Sequence, residues 1–309
     1  MQPVMNKKEQ RLRAGVRIFV YIVIAFPIVM IGNAFPFGGF QFISTAVLCF
    51  GFFWVMFRFV DNRSSLQIAG VIPDKTWWVE CLVGILIAAV VMAIIYGIQF
   101  LSGTIQFLGY SWNAPGNSSW LNPVIIFLIQ MMSVGFYEEL MSRSYLLPNF
   151  KEGFSFGKLE PRKATFLAVI FSSSIFGLAH GLNPNVTIFA ILNIVLAGVM
   201  LAIPFVITGR LAYSVGLHFG WNFFQGSVFG FRVSGMPIRG TIIQIQQGGE
   251  ELWTGASFGP EGGLVGTFGI VLVVICTLVL IKKSGIPLQM HSHFTNSYIE
   301  NEGLSKEKD

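Results

Sequence analysis

Apolar runs long enough to cross a lipid bilayer recur along this chain and constrain its fold more than any other feature. A helix rises about 1.5 Å per residue, so about 20 mostly apolar residues cover a hydrocarbon layer roughly 30 Å thick. Eight such runs lie roughly at residues 16–34, 42–60, 79–101, 122–147, 164–180, 186–207, 210–229 and 264–281. In lipid each backbone N–H and C=O must find a partner inside the protein, which favours helices for segments of this length. The expectation is an all-α, polytopic membrane protein of about eight transmembrane helices. Composition agrees: 11% of the 309 residues are charged, against roughly 25% in soluble domains. No small-residue cleavage pattern follows the first run, so it reads as a span and not as a signal peptide.

The charges also set an expected orientation. With alternate connections assigned to the cytoplasm from the N-terminus, that side holds Lys7, Lys8, Arg11, Arg13, Arg58, Arg63, Lys75, Lys151, Lys158, Arg162, Lys163, Arg210, Lys282 and Lys283. The other side holds Arg232 and Arg239. This asymmetry predicts both termini in the cytoplasm of a multi-pass cell-membrane protein, with membrane lipid as its surroundings. The net charge of +5 is spread over loops, which argues against nucleic acid as a partner. Cys49, Cys81 and Cys276 each fall inside an apolar run, so neither a disulfide framework nor a thiol metal site is expected.

Polar segments separate the runs. Residues 1–15 and 283–309 lack apolar periodicity and read as disordered tails, with His291 and His293 solvated in the second. Arg58 to Trp78 carries turn chemistry and has room for a short surface-lying helix. Ser102 to Trp120 reads as an extracytoplasmic loop with interfacial Tyr110, Trp112 and Trp120. Phe231 to Gly263 is broken into turns by Gly248-Gly249 and by Phe258-Gly259-Pro260-Glu261-Gly262-Gly263, and is placed to fold over the outer mouth.

Chemistry concentrates in three of the runs. Glu138 and Glu139 lie well inside the fourth, where a residue such as Asp costs about 2.5–3.5 kcal/mol to insert, so a cavity or a partner is expected. Arg143 follows Glu139 by four positions, the spacing that stacks two side chains on one helical face. Glu138 points about 100° away and is free for another purpose. His180 closes the fifth run, and His218 with Asn222, again four apart, marks one face of the seventh. A carboxylate that takes a proton from water, with imidazole and carboxamide donors for a developing oxyanion, is the equipment of amide hydrolysis. At 1.5 Å per residue, Glu139 and His218 lie roughly 12 Å from the cytoplasmic ends of their runs and His180 nearer 24 Å. Either the fifth helix begins outside the bilayer, near Glu160 to Lys163, or it is tilted or displaced.

In this order, Glu138-Glu139-x-x-x-Arg143, Phe176-x-x-x-His180 and His218-x-x-x-Asn222 resemble the CPBP intramembrane proteases, the group of type II CAAX prenyl endopeptidases and Abi bacteriocin-processing and self-immunity proteins. The resemblance covers roughly residues 121–227. It implies a catalytic core there, preceded by helices 1–3 with a basic N-terminus (1–120) and followed by an outer loop, a last span and a polar tail (228–309). It implies that Glu138 with His180 activates the attacking water, that His218 and Asn222 form the oxyanion site, and that Glu139 and Arg143 support them. The substrate would be a peptide or membrane protein, in a bacterial plasma membrane. The family has been described both as metal-dependent and as a glutamate type, which leaves open a divalent metal, zinc, on Glu138, His180 and His218. No H-E-x-x-H pair argues for zinc independently. Ser144 stands where many members have Gly. Two other classes remain: a non-catalytic immunity or scaffold protein of the same fold, and a small proton-coupled transporter relaying through Glu138 and Glu139.

Overall fold

The computed structural model describes residues 4–6, 11–34, 40–63, 65–114, 119–155 and 159–296. Among these, the main helices are α1 (Ala14–Ala34), α2 (Phe40–Val55), α3 (Lys75–Leu101), α4 (Leu121–Glu139), α5 (Leu147–Phe154), α6 (Pro161–Ala179), α7 (Ile188–Thr208) and α8 (Ala212–Phe223). A one-turn α9 (Glu251–Thr254), the long α10 (Leu264–Lys283) and a short α11 (Ser292–Thr295) complete the set. Wide π-helical turns extend α2, α4 and α8, at Met56–Val60, Leu140–Leu146 and Phe224–Val228. The chain is an all-α polytopic membrane protein, with seven helical stretches among the described residues long and apolar enough to cross a bilayer.

The seventh apolar run departs from expectation. It forms α8, with 12 residues, and a π-helical turn of 5. All of Ala212–Trp221 except Phe219 is buried. This helix is solvated by protein and sits in the core between α3, α4 and α7. Glycine makes that possible. A Cβ at Gly84 would sit 2.8 Å from Tyr213 O, one at Gly220 3.0 Å from Ile85 Cα, and one at Gly216 would run into the Cys81 carbonyl. Small residues let membrane helices approach closely where no hydrophobic force drives them together. Gly216→Val is expected to force α3 and α8 apart at a cost of about 1–3 kcal/mol, read as a lower unfolding temperature in detergent; an unchanged temperature would count against the close contact.

At the basic end, the N-terminal segment is tied down. Strands β1 (Met5–Asn6) and β2 (Arg11–Leu12) pair antiparallel. Arg11 and Arg17 both bridge to Glu152, and Arg17 also reaches Asp61 at 2.9 Å. Asp61 is fully buried and accepts from Tyr145 Oη at 3.1 Å and Asn149 Nδ2 at 3.0 Å. Residues 11–15 therefore do not form a disordered tail, because a buried carboxylate and Glu152 hold their arginines. Lys7, Lys8 and Lys158 lie outside the described residues.

The second tail is corrected in the same way. Phe294 packs edge-on to Phe205 with ring centroids 5.3 Å apart, and its carbonyl accepts from Thr165 Oγ1 at 3.0 Å. His291 donates its backbone N–H to Val206 O at 2.8 Å, and its ring lies over Gly209, so it is not solvated. His293 stacks edge-on to His291 at 4.4 Å. Residues 297–309 lie outside the described residues.

The opposite end holds a small sheet that the helical reading did not anticipate. Strand β3 (Ile105–Tyr110) pairs antiparallel with β4 (Ile243–Gln247), joining the 102–120 and 231–263 segments. Between Arg58 and Trp78 the short helix is a 3₁₀ turn at Leu66–Ala69.

The depth of His180 follows from the length of its neighbour. The stretch Leu121–Phe154 is 34 residues long, about 50 Å at 1.5 Å per residue and well beyond a hydrocarbon layer. Helix α6 packs back along α5. Glu138 lies 16 positions before Phe154 and His180 19 positions after Pro161, which brings them to a similar level.

Candidate active site

A cavity of about 1120 Å³ opens between α1, α4, α6, α7, α8 and the 233–240 segment. Glu138, His180, His218 and Asn222 all line it, while Glu139 and Arg143 do not. Those two stand behind the wall, fully buried. The adjacent carboxylates thus face different surroundings, as the 100° step between neighbouring helical residues requires.

The buried pair is held on several sides. Arg143 Nη1 donates to Glu139 Oε1 at 3.1 Å and Nη2 to Gly198 O at 3.0 Å. The guanidinium carbon lies 4.4 Å from the centre of the Phe176 ring. Glu139 Oε1 also meets His218 Nδ1 at 2.8 Å. A carboxylate can only accept, so Nδ1 carries a proton and Nε2 turns to the cavity. There Nε2 stands 3.9 Å from Glu138 Oε2, too far for a direct hydrogen bond and suited to one bridging water. Gly135 allows this approach of α4 to α8, since a Cβ there would sit 3.0 Å from Phe219 N. The π-helical turn begins right after Glu139, and such turns are frequent at functional sites.

His180 ends α6, where its Nδ1 lies 2.8 Å from Phe176 O. A carbonyl accepts only, so Nδ1 carries the proton and a neutral ring has its lone pair on Nε2. Phe176 links the parts: its ring is 5.0 Å from that of His180 and 5.9 Å from that of His218. Asn222, one turn beyond His218, reaches the same cavity. Ser144 is buried and donates to Ala69 O at 2.6 Å, a packing role.

Metal ligation is less well served. Zinc is held by three or four donors, each about 2.0–2.3 Å from the ion. Among the described residues no group of three His, Cys, Asp or Glu side chains is arranged to hold a metal. Glu138, His180 and His218 as placed do not form a zinc ligand set.

The cavity wall contains polar groups to which the motifs do not point. Asn183, Ser234, Arg239 and Glu261 line it. Glu261 is buried, and Ser234 donates to its Oε1 from the backbone N–H at 2.5 Å and from Oγ at 3.0 Å. Burial pushes the Glu261 carboxyl above its ordinary range, outweighing the Ser234 bonds that favour the carboxylate. The Phe258-Gly259-Pro260-Glu261 run was the available signal; nothing in its spacing connects it to α4, α6 or α8.

No curated protein and no solved structure matches the chain. Residues 120–224 match the family model described as type II CAAX prenyl endopeptidase Rce1-like. That stretch begins at the start of α4 and ends just past Asn222, so it contains all six motif residues. Over these residues the chain is similar to that family, in agreement with the likeness of its motifs to the CPBP intramembrane proteases.

Proposed function

We propose that this protein is an intramembrane endopeptidase that hydrolyses a peptide bond in an apolar or membrane-associated peptide or protein. The observation that carries the proposal is the 3.9 Å gap between Glu138 Oε2 and His218 Nε2 on the wall of a large, mostly apolar cavity. Water in that gap gives a proton to the Glu138 carboxylate, with the His180 Nε2 lone pair orienting it. The resulting hydroxide attacks the peptide carbonyl carbon. With both ring nitrogens protonated, His218 keeps its bond to Glu139 and offers Nε2–H to the oxyanion, beside the Asn222 carboxamide. Glu138 then returns the proton to the leaving amine. Glu139 and Arg143 hold His218 in place. No step runs through a metal.

The direct test compares peptides released in membranes carrying the wild-type protein with those carrying inactive variants. A peptide cut in that comparison supplies a fluorescence-quenched probe. His180→Ala and His218→Ala are each expected to lower kcat by about 10²–10⁴-fold without loss of insertion, and a chelator to leave wild-type kcat unchanged. Wild-type rates in both variants would remove the assignment, and loss of activity to chelator restored by zinc would replace the metal-free route. A scaffold or immunity role predicts function that survives loss of Glu138.

A further inference from the structure

Glu261 lines the proposed catalytic cavity, yet no step above uses it. It sits in a 3₁₀ turn, Pro260–Gly262, just before α10. The turn is anchored from α7, where Asn193 Nδ2 donates to Glu261 O at 3.0 Å and to Gly263 O at 2.8 Å. The side chain reaches inward and is 7% exposed. Its Oε1 takes both Ser234 bonds, while Oε2 is buried with the Gln225 and Trp221 side chains beside the carboxyl.

What Glu261 grips is a residue under strain. Ser234 has φ 49°, a left-handed conformation that costs an L-residue energy and persists only where its surroundings enforce it. Two bonds to one carboxyl oxygen supply that enforcement. The Ser234 carbonyl then accepts from Asn183 Nδ2 at 3.1 Å, and Asn183 N–H bonds back to His180 O at 3.0 Å. A second contact runs alongside. Gly235 N–H donates to Phe258 O at 2.7 Å, and Phe258 is buried in a cluster with Phe176, Ala190 and Ile194. A Cβ at Gly235 would collide with the Pro184 carbonyl, so the Ser234 turn lies directly on the turn that follows His180.

We infer that Glu261 is a positioning residue for the proposed protease reaction, acting through Ser234 and Asn183 to fix the turn after α6 and with it the aim of the His180 imidazole. The inference rests on the reading of His180 as part of the water-activating pair. Glu261 acts here as an acceptor and a spacer. The Gln225 side chain is close enough to perturb the carboxyl. A glutamine at 261 keeps the acceptor facing Ser234 in nearly the same volume.

The test uses full-length protein in proteoliposomes and the quenched peptide described above. Glu261→Ala and Asn183→Ala are each expected to lower kcat about 10–100-fold, the scale of a small misplacement of a reacting group, with KM within about 2-fold. The double variant should be no worse than the poorer single one, as expected for two links of one chain. Glu261→Gln should stay within about 3-fold of wild type. Wild-type kcat in Asn183→Ala, or fully additive losses, would overturn the inference even if Glu261→Ala fails to insert. Loss of activity in Glu261→Gln as deep as in Glu138→Gln would overturn it too, by making Glu261 a proton-exchanging group. Retained activity in Glu138→Gln would instead sink the reading of the site, whatever the Glu261 variants do.

Discussion

Replacing Glu138 with glutamine is expected to lower kcat by about 10²–10⁴-fold, the usual contribution of a general base, while insertion, unfolding temperature and KM stay close to wild type. The substitution is nearly isosteric, and the Glu138 side chain is about a quarter exposed to the cavity, so little packing is disturbed. An amide can still accept a hydrogen bond from water, but it cannot take the proton. Glutamine at 139 provides the contrast. Glu139 is fully buried, and its work is to accept from Arg143 and His218 through Oε1. A glutamine keeps an acceptor there, so its loss should be the smaller of the two. Turnover of the quenched peptide by each purified variant decides the matter. A Glu138→Gln protein that turns over at the wild-type rate, or a Glu139→Gln protein that alone is dead, would reverse the roles assigned to the two carboxylates.

Arg143→Met should be the most damaging change to stability at the site. Removing one partner of a buried pair leaves the other charge uncompensated, at a cost of about 3–5 kcal/mol. Here it also strips a donor from Gly198 O and the cation from the Phe176 ring. Lysine is not expected to rescue, because one ammonium lacks the planar fork that reaches Glu139 and Gly198 together. Methionine at 143 combined with glutamine at 139 removes both charges and should recover much of the unfolding temperature, without restoring full turnover. Thermal unfolding in detergent measures each step. An Arg143→Met protein as stable as wild type would mean that Glu139 does not depend on this partner.

The membrane architecture was legible because the bilayer imposes its own length on the sequence, and seven of the eight apolar runs are helices of crossing length. The run at 210–229 misled because apolarity does not tell lipid from protein as the surrounding medium; its glycines at 216 and 220 mark instead a helix enclosed by neighbours. The pair Glu139 and Arg143 was legible from four-residue spacing. His180 was harder, since its level relative to Glu138 depends on α6 packing back along α5, which continues to Phe154. The β3–β4 pairing joins segments more than a hundred residues apart, and only the Ile-Gln-Ile-Gln alternation of β4 hinted at it. The mutual burial of Arg17, Asp61 and Glu152 had no local sequence signal, because it arises only when α1 and α5 pack. Ser234 and Glu261 lie 27 positions apart, beyond any local pattern.

The order in which the chain is made has a consequence for the 233–263 segment. Synthesis at about 5–20 residues per second delivers Glu138, His180, His218 and Asn222 to the membrane well before Glu261 and the helix that follows it. A half-finished molecule therefore holds the motif residues but not the complete wall of the cavity that they line. The 233–263 segment, made after them, completes a cavity wall whose motif-bearing side is already in place.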